Sequence, residues 1–403
     1  MNIAILTHCC AINFGANLQA LSTGLYFRNL GHNVIFLNWN EYAERSEYIK
    51  HINAEQKKMH YDFLKSFNLQ VTEPLSESEE FVNAIIRNNI SLLVIGSDAV
   101  LTLMYTQKKR IVFSKKGLKV VNNPLDYTYP NPFWVPFYKS IISHCRIVLL
   151  SPSCQSTNLR NINKNCQKEI KQTLEHYSLL TARDGYTQKM LSHLLNIPEN
   201  KIPITPDPVF SLNQNLRGIS LPSKDEIISK FNLSDKYFVI SSYYALDKFW
   251  VQKLTEEANR ENYELVALPM PQSNIIESTN KKIALPLNSL DWYCLIKYSS
   301  GYIGNNMHPI ITCIHNTVPF ISLDQHGRSY FRGLIHTSEG SKVQDLLKRL
   351  GLESYRYPFW TYNRISPDTI IKKLTTFDYD KCKKAASTMY IKYTNLMQMI
   401  LNL

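Results

Sequence analysis

The chain opens with Ile3-Ala4-Ile5-Leu6, an apolar run of the right length for one buried strand. The pattern predicts that strand over residues 3–8, a polar loop over 9–15 and an amphipathic helix running to about Leu30. Gly31 then supplies the left-handed position that ends a helix. A second strand follows over 33–39. Strand, helix and strand in this order predict a βαβ unit, hence a parallel sheet with its ligand site beyond the carboxyl ends of the strands. The first loop contains no GxGxxG, so it is not a dinucleotide fingerprint. The alternation continues with a helix at 76–88, a buried strand at 91–95 and the turn Gly96-Ser97-Asp98. Beyond it come a strand at 146–151, a helix at 166–177 and a strand at 179–182.

Residues 212–224 (LNQNLRGISLPSK) hold Asn, Gly, Pro and Ser with little apolar periodicity, and they read as a linker. After them the alternation restarts with a strand at 237–242, a helix at 248–262 and a strand at 264–268. The expected class is α/β, with two facing Rossmann-like domains and a cleft between them. The expected divisions are 1–211, a linker at 212–224, a second domain at 225–378, and a C-terminal helix at 379–403 that packs back on the first domain. There is no internal repeat and no low-complexity segment.

With 403 residues, 44% of them hydrophobic, the chain has enough apolar material for roughly two or three ordinary domains. Its start has no basic n-region and no signal-peptide h-region. The longest apolar runs, at 91–95 and 147–150, are far too short to cross a bilayer, so a cytoplasmic location is expected. Eight cysteines without a CxxC pair fit a reduced compartment, and the neighbours Cys9 and Cys10 read as packing. No His/Cys/Asp cluster has metal-ligand spacing, so no metal is expected. A net charge of +12 favours anionic partners, either phosphorylated substrates or an acidic membrane face. No RNP, KH, zinc-finger or helix-turn-helix signature is present, so nucleic acid is not an expected partner.

The chemistry concentrates in residues 291–324, DWYCLIKYSSGYIGNNMHPIITCIHNTVPFISLD. This stretch reads as helix, strand, a polar loop ending in His308, a second helix and a second strand. Pro309 suits the first helical position, which places His308 at or near the N-cap. The N–H groups from Ile310 onward then lack intrahelical partners, making an anion site with a titratable imidazole at its lip. The plainer alternative is that His308 only caps the helix.

Several segments, in order, resemble the polysaccharide pyruvyl transferase family. ILTHCCAINFGANLQALSTGLYFRNLGHNVIFLNW resembles its first βαβ unit, with the Asn-x-Gly-x-x-x-Gln loop. LLVIGSDAV resembles its strand ending in Gly-Ser-Asp, and LLTARDGYTQKML its strand ending in Arg-Glu or Arg-Asp before a helix. PITPDPVF resembles its Asp-Pro segment, and the stretch around His308 its His-Gly or His-Pro motif. The resemblance spans roughly residues 1–325. It implies a fold like that of the GT-B glycosyltransferases. It also implies transfer of a pyruvyl group from phosphoenolpyruvate onto two hydroxyls of a sugar, giving a cyclic ketal and phosphate. Such sugars belong to surface polysaccharides or glycans and are often modified on a lipid carrier or nucleotide. No resident cofactor is expected, phosphoenolpyruvate being a co-substrate.

On that chemistry His308 takes a proton-transfer role, and Arg183, at a strand's carboxyl end, clamps the carboxylate or phosphate. Asp98 orients an acceptor hydroxyl or stabilises its turn. Asp184 reads as an N-cap, and Asp207 as a base or as shaping the segment before the linker. Asn13, Gly15, Asn17 and Ser97 are loop candidates on the acceptor side. Gly15 is expected either to let a ligand approach the backbone or to take a positive φ. Ser151 and Ser153 end a strand near the presumed cleft, and His8 and His315 read as structural. Many family members place an Arg two residues before the motif His, where this chain has Asn306. Asn306 is kept as a donor-binding candidate, with Arg328 or Arg332 as substitutes for the missing cation.

Residues 105–138 combine Lys108, Lys109, Arg110, Lys115, Lys116 and Lys119 with a run of aromatics: Tyr127, Tyr129, Phe133, Trp134, Phe137 and Tyr138. Basic groups beside aromatics suit the headgroups of an inner membrane face or a lipid-linked pyrophosphate, and equally a solvated loop over an aromatic lid. Two other functions stay open. One is a GT-B glycosyltransferase using a nucleotide sugar, which needs an acidic residue to hold the donor ribose; only Glu277 follows soon after strand 264–268. The other is a non-catalytic glycan-binding homologue, which Asn306 keeps in play.

Overall fold

A computed structural model describes residues 1–39, 51–107, 109–114, 117–155, 157–271, 276–325, 327–330, 335–337 and 340–403, with backbone alone at 113, 114, 161, 328–330, 335 and 336. Two parallel sheets organise it. In the first the strands stand in the order Gln70–Val71, Asn33–Phe36, Asn2–Leu6, Leu92–Ile95, Arg146–Leu149. In the second the order is Lys281–Lys282, Glu264–Ala267, Tyr237–Ser241, Gly301–Gly304, Phe320–Asp324, Arg356–Pro358. Numbered within each sheet these are 3-2-1-4-5 and 3-2-1-4-5-6. Both are doubly wound, so each sheet has a crevice where its first and fourth strands diverge. The loops there are those after Leu6 and Ile95, and after Ser241 and Gly304.

The central strands form because their side chains are apolar on both faces, as helix-covered parallel strands require; Ile3, Ala4, Ile5 and Leu6 are all fully buried. The helix Phe14–Asn29 departs from the amphipathic expectation, since thirteen of its sixteen residues are buried. It lies between the two domains and packs on both sides. Phe14 stacks on Trp292 at 5.3 Å, and Ser22 Oγ donates to the Pro208 carbonyl at 2.6 Å. Its polar residues therefore bond to distant protein segments rather than water, Ser22 and Gln19 to Pro208 and Asp207 of the same domain and Asn17 to Ser289 of the other.

Two further expectations change. Residues 179–182 make only isolated bridges, Val148 with Leu179 and Ala182 with Ile204, because the Thr181 hydroxyl, not the backbone, bonds the Leu149 carbonyl at 2.7 Å and the Ser151 N–H at 2.9 Å. Segment 212–224 begins with a helical turn, Leu212–Asn215; Leu212 and the capping residue Leu216 are buried, and Asn215 Nδ2 donates to the Ser22 carbonyl at 2.9 Å. The terminal helix Tyr379–Leu401 packs on the His308 helix, Cys382 Sγ donating to the Ile314 carbonyl. It also reaches the first domain, where Tyr393 meets Tyr26 edge-on at 5.8 Å. All eight cysteines are free thiols. Among the described residues, no helix is long and apolar enough to cross a membrane.

A buried polar network ties the domains together. The Gln56 amide pairs with both backbone groups of Leu287, at 2.8 and 2.7 Å. His60 Nδ1–H donates to Asn17 Oδ1 at 2.5 Å, the same oxygen that accepts from Ser289 Oγ at 3.0 Å. With its proton on Nδ1, His60 accepts the Gln56 amide at Nε2. Burial pushes the His60 pKa down to about 4. The unfolded chain therefore takes up a proton near pH 6.5 that the native state refuses until about pH 4. Stability is fully present above that window and falls as the pH drops through it. At pH 5 this one residue is expected to cost about 2 kcal/mol relative to pH 8. Denaturant midpoints against pH check it: the acid slope should be shallower in His60→Gln, and an unchanged slope would remove His60 from the account.

Candidate active site

The crevice loops of the two sheets meet, and the candidate residues divide between those that meet there and those that build the surrounding fold. Asp98 stands just past strand Leu92–Ile95. Gly96 before it has φ +107°, and a Cβ there would lie 2.5 Å from the Leu150 carbonyl oxygen, so only glycine fits. Asp98 is itself left-handed at φ 72°, a conformation Asp tolerates better than most side chains. Its carbonyl accepts from Ser153 N–H at 2.7 Å, which fixes the turn on the neighbouring strand end.

Arg183 emerges beside this turn, its N–H bound to the Pro152 carbonyl at 2.9 Å. The residue is 3% exposed. Nη1 donates to Asp207 Oδ2 at 3.0 Å, and Nη2 lies 3.6 Å from Asp98 Oδ1. Asp207 also takes the Gln19 amide on Oδ2 and the Val209 N–H on Oδ1 at 3.0 Å. It thus caps the turn Pro208–Ser211 and holds Arg183 at once.

His308 enters from the second domain. The helix Met307–Asn316 has Asn306 as N-cap, so His308 is its second residue and Pro309 its third, not N-cap and first as expected. Proline is tolerated there because every N–H of the first turn lacks an intrahelical acceptor anyway. The ring lies on Gly15: a Cβ at that position would be 2.0 Å from His308 Nδ1 and 2.6 Å from His308 Cβ. Gly15 is needed for this contact across the cleft, and its φ is not left-handed. Burial lowers the His308 pKa from 6.5, Arg183 and Lys342 add to that, and Asp98 and Asp207 oppose it, so the imidazole is neutral at pH 7.

Lys342 is the residue the sequence reading missed. It is the first residue of helix Lys342–Leu350, which Ser341 caps by accepting Gln344 N–H at 3.0 Å. The same helix grips the Arg183 loop: Arg349 Nη2 donates to the Arg183 carbonyl at 3.2 Å, and Gly185 N–H donates to Asp345 Oδ2 at 3.4 Å. Burial lowers the Lys342 pKa, Arg183 adds to this, and Asp98, Asp184 and Asp207 oppose it. No local pattern marks Lys342, since Ser-Lys at a helix start is an ordinary capping sequence. Burial also works against the Asp98 carboxylate. Protonated His308, Arg183, His8 and Lys342 outweigh it and hold the Asp98 pKa at about 2.

Several donors here are buried with no protein acceptor: Arg183 Nε and Nη2, and Asn306 Nδ2; His308 Nε2 is likewise buried and unbonded. Buried polar groups demand partners, and this set, with the Lys342 ammonium, suits an anion rich in acceptor oxygens. Among the described residues, no group of three His, Cys, Asp or Glu side chains could hold a metal ion.

Most of the remaining candidates make contacts within the fold. Asn13 caps its helix through Gly15 N–H at 2.9 Å and Ala16 N–H at 3.2 Å. Asn17 is fully buried in the interdomain network. The Ser97 carbonyl accepts from Thr7 Oγ1, while Ser97 Oγ is buried and unbonded beside Asp98. Asp184 caps Gly185–Leu195 through Thr187 N–H at 2.8 Å and takes Ser153 Oγ at 2.9 Å; Ser151 Oγ bonds Thr205. His315 Nε2 accepts from Asn213 N–H at 3.2 Å. The Arg328 backbone pairs with Thr337 in a small hairpin, while its side chain and all of Arg332 lie outside the described residues.

In the comparisons, a UDP-GlcNAc 2-epimerase from Neisseria meningitidis, solved with UDP-GlcNAc bound, superposes with a TM-score of 0.54 at 11% identity, covering 100% of this chain and 99% of its own. UDP-N-acetylglucosamine 2-epimerase from Rickettsia bellii gives 0.52 at 9% identity, covering 100% and 96%. UGT73P12 from Glycyrrhiza uralensis, complexed with glycyrrhetinic acid 3-O-monoglucuronide, gives 0.51 at 7% identity, again covering 100% and 96%. At such identities the likeness establishes the fold alone, which is the GT-B arrangement of two Rossmann-like domains. No curated protein matches the chain. The family model described as polysaccharide pyruvyl transferase matches residues 13–327, a span that holds Gly15, Asp98, Arg183, Asp207 and His308. The chain is therefore a transferase that belongs to the polysaccharide pyruvyl transferase family.

Proposed function

We propose that this protein transfers a pyruvyl group from phosphoenolpyruvate to two hydroxyls of a sugar in a surface polysaccharide or glycan precursor. The acceptor is carried on a lipid or nucleotide, and no resident cofactor takes part. The observation that carries the reading is the convergence of Arg183, Lys342 and His308 on ionised Asp98, with unbonded donors between them. Arg183 and Lys342 bind the carboxylate and phosphate, and Asn306 Nδ2 adds a neutral donor; Lys342 supplies the cation that Asn306 does not. The incoming anion raises the depressed His308 pKa, because negative charge favours imidazolium. His308 then protonates the methylene carbon. One sugar hydroxyl attacks C2, passing its proton to Asp98 or back to His308. The second hydroxyl attacks as the C2–O bond to phosphate breaks, its proton leaving on the departing phosphate, which closes the ketal and releases phosphate.

The nucleotide-sugar alternative is weaker on one point. Glu277, its candidate for holding a ribose, is 67% exposed at the side chain and lies 3.9 Å from Lys248. Thermal-shift titration separates the readings, since a ligand that binds only the folded state must stabilise it. Phosphoenolpyruvate is expected to raise the melting temperature. Lys342→Met should weaken its binding by roughly tenfold or more. His308→Gln should bind it while losing ~10²–10⁴ in turnover, followed by phosphate release. A shift with a nucleotide sugar instead would favour the glycosyltransferase, and no shift with either would favour the non-catalytic homologue.

A further inference from the structure

The loop between Asp98 and the buried aromatics carries a β-hairpin, Lys109–Ser114 paired with Gly117–Asn122, that joins neither main sheet. The aromatics expected beside these basic groups are elsewhere: Tyr129, Phe133, Trp134, Phe137 and Tyr138 are all buried in the first domain. They fill core space under the loop, so the hairpin alone faces solvent. It is apolar where a solvated ribbon would be polar, with Ile111 67%, Leu118 67% and Val120 62% exposed. Its register pairs Ile111 with Val120, and Leu118, two residues before Val120, shares that face. Arg110, paired with Val121, and Lys119, paired with Val112, lie on the other face.

The sequence adds Lys108, Lys109, Lys115 and Lys116 around the same ribbon, and no Asp or Glu occurs between Asp98 and Asp126. A two-stranded ribbon exposing an apolar face is marginal in water, and this much like charge repels a second copy of itself. Its base is nevertheless tied down. Asn123 Nδ2 donates to the Gln107 carbonyl at 2.7 Å, and Arg110 Nη1 donates to Tyr105 Oη at 2.6 Å. The hairpin rises from the segment that follows Asp98, at the carboxyl end of the first sheet, where the cleft opens.

We propose that this hairpin docks on an anionic lipid bilayer, with Ile111, Leu118 and Val120 in the acyl boundary and the cations on lipid phosphates. That places the cleft mouth against the membrane, where a sugar on a lipid carrier is presented. The role of the carrier rests on the pyruvyl-transfer reading; the lipid contact does not.

Co-sedimentation with vesicles of phosphatidylcholine, with and without phosphatidylglycerol, tests it. The wild type is expected to pellet only with the anionic vesicles and less at high salt. Ile111→Ser/Leu118→Ser/Val120→Ser should weaken binding by at least ~10-fold. Lys109→Glu/Arg110→Glu should weaken it by about 30-fold. All five substituted positions are exposed and none belongs to the cleft, so the phosphoenolpyruvate shift should be unchanged in both variants and the melting temperature in the serine variant, which keeps the Arg110–Tyr105 bond. A lost donor shift with vesicle binding intact would therefore count against the catalytic reading alone. The lipid proposal is overturned if the wild type ignores anionic vesicles. It is equally overturned if the serine variant binds like wild type while the glutamate variant does not, which would mark a general polyanion patch such as one for nucleic acid.

Discussion

Arg183→Met is expected to lower the unfolding free energy by about 3–5 kcal/mol at neutral pH and to abolish stabilisation by phosphoenolpyruvate. The guanidinium is 3% exposed and stands between two carboxylates, Asp207 at 3.0 Å and Asp98 at 3.6 Å. Methionine fills much of the same volume but leaves both acids buried without their cation. The cost is that of isolating buried charge, which exceeds what the pair contributes over a hydrophobic replacement. The sign with pH follows. In the wild type Asp98 is held at about 2, so its contribution is present above pH 4 and lost only in strong acid. Without Arg183 the Asp98 pKa rises, the variant protonates at milder pH, and its deficit should shrink between pH 7 and pH 5. Denaturant midpoints at the two pH values measure this. Arg183→Met/Asp207→Asn should recover part of the loss, since it removes the stranded charge. A variant as stable as wild type, or one whose deficit grows on acidification, would contradict the arrangement.

What was legible in the sequence was local. The runs at Ile3–Leu6 and Leu92–Ile95 announce buried parallel strands, Asp184 announces a helix start, and helix Tyr379–Leu401 begins where predicted. Each depends only on a residue and its near neighbours. The parts that were not legible depend on contacts between segments far apart in the chain. Helix Phe14–Asn29 has no polar face because Gln19 and Ser22 find partners at Asp207 and Pro208, at the far end of its own domain, and Asn17 at Ser289 in the other. Asn17 looked like a cleft residue because loop polarity is the usual sign of one. Lys342 has no motif around it and gains its meaning only where helix Lys342–Leu350 meets the Arg183 loop. The aromatics at 129–138 were ambiguous because composition cannot tell a core from a lid; their burial decides it. Gly15 is the sharpest case: its φ is not left-handed, and the contact that demands a glycine comes from His308 of the other domain.

Gly15→Ala should accordingly affect turnover far more than its size suggests. The added Cβ would lie 2.0 Å from His308 Nδ1, 2.1 Å from Cγ and 2.6 Å from Cβ. These are not the mobile tip of a long side chain, and His308 is fixed near its root on the second residue of a helix, so the whole ring must leave its seat. Position 15 lies in the first turn of Phe14–Asn29, where alanine is otherwise preferred to glycine by about 1 kcal/mol. Any loss must then come from the collision. Displacing a proton-transfer group by an ångström is expected to cost about 10²-fold in kcat. Phosphoenolpyruvate binding, assigned in the proposed function to Arg183 and Lys342, should change much less. The pairing with His308→Gly decides the cause. If His308 is what the new methyl meets, Gly15→Ala destabilises the wild type but not the His308→Gly protein, where ring and Cβ are both gone. Additive losses would mean that the methyl strikes something else, and a Gly15→Ala enzyme with full turnover would remove His308 from the proton transfer assigned to it.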